Sequence, residues 1–103
     1  MKKIRMLSYM IEDEIQDAEK YARKALEFKE KDRHLADTFN VLSAEEMKHM
    51  NMLHGEVVRI IEEFKQTRGD PPPGMMAMYD VLHDKHIEAA KTVKILQSMY
   101  AEQ

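Results

Sequence analysis

Residues 35–64 read LADTFNVLSAEEMKHMNMLHGEVVRIIEEF, and the spacing of their side chains predicts the fold. Successive members of one series are three or four residues apart, which places them on one face of an α-helix. The series is Leu35, Phe39, Leu42, Glu46, His49, Leu53, Val57, Ile60 and Phe64. No comparable length of the chain shows the alternation of a β-strand. We therefore predict one long helix through this stretch.

The same spacing occurs twice more, once on each side of this stretch. The upstream series is Ile4, Leu7, Ile11, Glu14, Ala18, Tyr21, Ala25 and Phe28. The downstream series is Met75, Tyr79, Leu82, His86, Ala89, Val93, Leu96 and Tyr100. The three series predict helices over about 4–30, 33–68 and 75–102.

The segments between the series predict how the helices connect. A short polar turn at 29–32 makes the first two helices an antiparallel hairpin, with Asp32 as N-cap of the second helix. The linker 69–74 holds Gly69, Pro71, Pro72, Pro73 and Gly74, and it ends the second helix. We predict an all-α fold of one domain over 1–103, a long helical hairpin plus a third helix.

A second apolar stripe runs beside the first on the middle helix. Its members are Met47, Met50, His54, Val58 and Ile61. It is either covered by the third helix or buried against a partner subunit, and both can hold together.

Composition excludes several classes of function. Acidic residues outnumber basic ones by 19 to 16 and no basic tract occurs, so we expect no nucleic-acid partner. No apolar run is long enough to cross a membrane, and the apolar stretch after the basic start is too short for a signal peptide. We expect a cytoplasmic protein. The chain has no cysteine, so any metal site must use carboxylates and imidazoles.

Three positions on the helical series are polar, namely Glu14, Glu46 and His49. For each alone, the ordinary interpretation is a residue at the edge of the core or a buried Glu–His hydrogen bond. The hairpin register changes this interpretation. Glu14 lies 17 positions before residue 31, and Glu46 and His49 lie 15 and 18 positions after it. In an antiparallel pair the three meet at one level, although core packing alone does not require it.

Two carboxylates and one imidazole suit Fe(II), Mn(II) or Zn(II). Helical bundles bind two irons with a Glu from each of two helices and a Glu-x-x-His from each of two others. This chain holds half of that set. A two-fold dimer supplies four Glu and two His, and so forms a four-helix bundle with a complete site.

The third helix is a weaker source of the missing ligands. Its register places Val93 and Leu96 opposite His49 and Glu46, and neither can bind a metal. His83, His86 and Glu88 lie nearer the far end of the second helix and are secondary candidates. His34 and His54 are expected to be surface or packing residues.

The stretch from Glu14 to Leu53 resembles the ferritin-like superfamily, in particular rubrerythrin-like proteins and short encapsulated ferritins. The resemblance rests on Glu14-x-x-x-Ala18-x-x-Tyr21 followed by Leu42-x-Ala44-Glu45-Glu46-x-x-His49. It implies that Glu14, Glu46 and His49 are metal ligands and that Tyr21 is a core aromatic near the site. The second Glu helix and second Glu-x-x-His helix of complete family members are missing from this chain.

The resemblance implies an iron-binding oxidoreductase, either a ferroxidase or a peroxidase, with two iron ions per dimer. Its expected roles are iron oxidation and storage or protection from oxidative stress, and its expected partner is a second copy or a higher homo-oligomer. Mn or Zn can take the place of iron. The alternative is a non-catalytic helical dimer with a structural Zn or no metal. The residues do not identify an enclosing shell.

Overall fold

The computed structural model describes residues 2–102 and contains three α-helices in that range. They are α1 (Lys2–Phe28), α2 (Arg33–Arg68) and α3 (Pro73–Ala101). Each bound lies within two residues of the sequence-based prediction. At about 1.5 Å per residue, the 36 residues of α2 explain the 55 Å length of the molecule, which is only 19 × 18 Å across.

Local chemistry fixes both ends of α2. The Asp32 carboxylate accepts a hydrogen bond from the Leu35 amide at 3.1 Å, so Asp32 is the N-cap that the sequence predicts. Gly69 ends the helix with φ +82, and its amide donates to Lys65 O. The following prolines cannot continue the hydrogen-bond ladder, and α3 begins at Pro73.

The core runs along α1, which packs against both other helices. Its buried apolar residues follow the predicted face almost throughout, and they are Ile4, Leu7, Ile11, Ile15, Ala18, Ala22 and Ala25. Val93, Leu96 and Tyr100 are the buried residues of α3 and belong to its predicted series. The backbones of α2 and α3 stay further apart, so these two helices meet mainly through side chains.

The buried face of α2 differs from the predicted one. Its deepest residues are Ala36, Ser43, Val57 and Ile61, whereas Leu42 of the predicted series is 37% exposed. Only α1 and α3 cover α2, and both lie toward the strip that carries Ser43 and Val57. The neighbouring strip, which carries Leu42 and His49, is left open in the single chain.

Ser43 joins all three helices at one point of this core. Its buried hydroxyl donates to Ala18 O on α1 at 2.7 Å and accepts from Gln97 Nε2 on α3 at 2.9 Å. These two bonds satisfy the Ser43 hydroxyl, because burying a hydroxyl without hydrogen-bond partners would cost free energy. These bonds fix the register of the hairpin and of α3 near the level of Glu46.

Within residues 2–102, none of the helices combines the length and the apolar character needed to cross a membrane.

Candidate metal centre

Glu14, Glu46 and His49 lie together on the open side of the hairpin. Glu14 projects from α1, and the other two project from α2 with the i, i+3 spacing that places them on one helix face. One ligand atom from each residue lies within 4.8 Å of the other two. The register count therefore placed the three residues correctly at one level.

The distances between these atoms are close to those around a single ion. His49 Nδ1 lies 3.4 Å from Glu14 Oε2 and 3.9 Å from Glu46 Oε2. Ligand atoms about 2.1 Å from a metal are separated by roughly 3.4 Å in tetrahedral geometry. Small side-chain rotations are enough to bring all three atoms onto one ion.

Glu14 presents an unsatisfied oxygen to this cluster. Its Oε2 is buried and has no hydrogen-bond donor among the described residues. The nearby His49 Nδ1 does not make a hydrogen bond with it, although the two atoms are 3.4 Å apart. A buried carboxylate oxygen without a partner is costly, and a cation between the two side chains would remove that cost.

The Glu14 carboxyl opposes the ionisation of Glu46. Glu14 can accept a hydrogen bond from the protonated Glu46 carboxyl, and this bond, partial burial and the Glu14 charge raise the pKa of Glu46 to about 7. The neighbouring His49 acts in the opposite direction, and Asp17 adds to the increase. Near neutral pH the metal-free cluster therefore holds a proton that a metal ion would displace.

Asp17 is a member of this environment that the sequence reasoning missed. It lies three residues after Glu14 on α1, half-buried, and its carboxylate is 4.0 Å from Lys20 Nζ. The i, i+3 spacing from Glu14 was the available signal. Asp17 adds negative charge to the site and so favours a cation.

The cluster faces an open surface of α1 and α2. The His49 side chain is 51% exposed, compared with 26% for Glu14 and 18% for Glu46. Two exposed apolar side chains lie one helical turn from the cluster. Met10 on α1 is 43% exposed and Leu42 on α2 is 37% exposed. The two carboxylates of the site therefore lie nearer the interface of α1 and α2, and the imidazole lies nearer the solvent.

The structure does not bring the secondary candidates to this cluster. Glu88 lies on an exposed face of α3 and pairs with Lys91 at 3.3 Å. His83 and His86 face a cavity beside Met50 and His54, and the His83 ring stacks on His54 with centroids 5.0 Å apart. The third helix thus donates no ligand to the Glu14 group, as the register predicts.

The remaining predicted positions are also located. Tyr21 is half-buried and stacks on Phe39 at 6.1 Å, so it is a packing residue between α1 and α2. His34 is an exposed residue near the start of α2, and His54 packs against α3.

Comparison of the chain with family models, with curated proteins and with solved structures finds no match. The ferritin-like resemblance consequently rests on the motif residues alone, and the chemistry of the site has to be argued from its own geometry.

Proposed function

We propose that two copies of this chain bind two iron ions between them and oxidise ferrous to ferric iron. The observation that carries the proposal is the meeting of Glu14, Glu46 and His49 at one level, with a buried carboxylate oxygen that lacks a donor. Two carboxylates and one imidazole per chain suit ferrous iron, and an exposed edge beside them is available to a second copy.

The donor set supports a role for each residue. Glu46 from α2 and Glu14 from α1 would hold the ions through their carboxylates, which supply negative charge from both helices of the hairpin. His49 completes the coordination of one ion as a neutral ligand. A two-fold axis through the open face would repeat this set and give four carboxylates and two imidazoles, the number that bundle di-iron sites use.

The residues of the chain also manage charge and protons. Binding of the cation would displace the proton that the raised pKa keeps on Glu46, and the Asp17 carboxylate would offset part of the added positive charge. Two ferrous ions bound there would supply two electrons, which together with two protons from water reduce oxygen to hydrogen peroxide or hydrogen peroxide to two waters.

Anaerobic titration with Fe(II), followed by air, tests this function. We expect ferric absorbance to develop with about one iron per chain. Glu46→Ala should abolish both the stoichiometric binding and the fast oxidation. The matched control is Glu45→Ala, since Glu45 is the adjacent acid and is exposed in an ion pair with Lys48. Equal iron binding and oxidation in Glu46→Ala and Glu45→Ala would show that the site is wrongly assigned.

A structural zinc site is the competing interpretation of the same ligands. It is distinguished by adding Zn(II) and Fe(II) in parallel to the wild-type chain. Stoichiometric Zn(II) binding without any acceleration of iron oxidation over free Fe(II) would replace the ferroxidase with a structural centre. Acceleration that depends on Glu14, Glu46 and His49 would support the oxidoreductase.

A further inference from the structure

Three histidines form a second cluster that the iron site does not use. His54 lies on α2, and His83 and His86 lie on α3. All three line one cavity of about 180 Å³ between these helices, with Met50 beside them. At this cluster α2 and α3 contact each other through side chains, and their backbones are not closely packed.

One atom of this cluster lacks a partner. His54 Nε2 is buried and makes no hydrogen bond with any described residue. The His54 ring stacks on His83 at 5.0 Å, and His83 stacks on Tyr79 at 5.4 Å. Stacking covers the ring faces but leaves the ring nitrogens in need of a partner, because an imidazole bonds through its edge. A buried polar nitrogen without a hydrogen bond destabilises the folded chain.

The imidazoles are suited to a metal rather than to an anion. Burial and the neighbouring His83 lower the pKa of His54, and burial is also the main cause of the lowered pKa of His86. Neutral imidazole is the form that binds transition metals, whereas an anion needs the protonated ring. The Glu12 carboxylate lines an adjacent cavity of about 140 Å³ that His86 also borders.

The lining of the cavity indicates which ion it would take. No carboxylate lines the cavity itself, so a doubly charged ion would enter with little compensation of its charge. The thioether of Met50 is a soft ligand, and soft thioethers select Cu(I) among the biological metals. A singly charged, soft ion thus fits this lining better than Fe(II) or Mn(II).

We propose that His54, His83 and Met50 form a Cu(I) site between α2 and α3, with His86 as a third imidazole. Among the described residues, only the Glu14 group has three His or acidic ligand atoms within 4.8 Å of each other. Occupation of the second site therefore requires at least one of the three imidazole rings to rotate from its present position. The proposal does not depend on the iron site.

Anaerobic competition for Cu(I) with a chromogenic chelator tests the proposal. The Glu46→Gln background removes the first site, and we expect it to bind one Cu(I) per chain. In that background His54→Gln and His83→Gln should each weaken Cu(I) binding by more than about tenfold. His34→Gln is the matched control, since His34 is exposed at the far end of α2, and it should bind as the background does.

The Met50→Leu variant distinguishes the loss of a metal ligand from a change in the shape of the cavity. This variant keeps the apolar volume and removes only the sulfur, so Cu(I) affinity should fall while the thermal unfolding midpoint stays near the background value. If His54→Gln, His83→Gln and Met50→Leu all retain the background affinity for Cu(I), the proposal is wrong. A loss confined to variants that no longer unfold cooperatively would also contradict it.

Discussion

Glu46 is held in a position where its charge is unfavourable until a cation arrives. Its pKa is raised from 4.5 in the unfolded chain to about 7 in the folded one. Between pH 4.5 and pH 7 the folded protein therefore binds more protons than the unfolded chain does. The stabilising contribution of the protonated Glu46 is complete below pH 4.5 and is lost as the pH rises through 7.

Glu46→Gln should consequently stabilise the metal-free protein at pH 8. Glutamine resembles the protonated carboxyl and removes the repulsion from Glu14. The expected gain is about 1–2 kcal/mol in the free energy of unfolding, smaller than the full pKa difference because the site opens to solvent. Urea unfolding at pH 8 and pH 4.5 measures it. The gain should disappear at pH 4.5, and Glu45→Gln should show no comparable gain at either pH.

Ser43 is the polar residue on which the packing of all three helices converges. Ser43→Ala removes the bonds to Ala18 O and Gln97 Nε2, and it leaves a buried carbonyl without this donor. We expect a loss of about 1–3 kcal/mol in unfolding free energy. The control is Ser98→Ala on the exposed side of α3, which should change stability by less than about 0.5 kcal/mol. Equal effects of the two changes would contradict the structural role of Ser43.

At the scale of the elements, two glycines of α2 have opposite roles. Gly69 ends the helix at φ +82, where a side chain is strained, whereas Gly55 lies inside the helix with nothing within 4 Å of an added Cβ. Gly69→Ala should cost about 1–3 kcal/mol. Gly55→Ala should gain about 0.5–1 kcal/mol, because alanine is the better helix former.

Thermal and urea unfolding of the two alanine variants measure these effects under one set of conditions. Changes of the same sign in both variants would show that the end of α2 at Gly69 is not set by its backbone conformation.

The hairpin formed by α1 and α2 shows which features of an element can be predicted from sequence. The turn at 29–32, the Asp32 cap and the prolines after Gly69 are local signals, and each helix bound follows from them. The rotation of α2 about its axis is not local. It depends on the direction from which α1 and α3 approach, and this is why Ser43 rather than Leu42 is buried.

At the scale of the whole molecule, the open face beside Glu14, Glu46 and His49 is where we propose that two copies meet. Leu42→Lys places a charge on this face without disturbing the interior of the single chain, since Leu42 is 37% exposed. We expect it to weaken dimer formation by more than about tenfold and to lower iron loading in parallel. Sedimentation velocity over a range of protein concentrations measures the first effect.

The matched control is Ile95→Lys, because Ile95 is 61% exposed and lies on α3 rather than on the face of α1 and α2 that carries Leu42. It should associate as the unchanged chain does. A wild-type chain that stays monomeric while binding two irons would contradict the shared site, and so would a Leu42→Lys variant that dimerises normally.

The sequence by itself determined the three helices, their connections and the level at which Glu14, Glu46 and His49 meet, because helix periodicity and a short turn fix these relations locally. It also indicated that α3 supplies no ligand to that group. Only the tertiary structure decided how exposed each side chain is and that His54 packs on His83. Those features depend on the directions in which helices approach each other, and a pattern along one helix does not contain them.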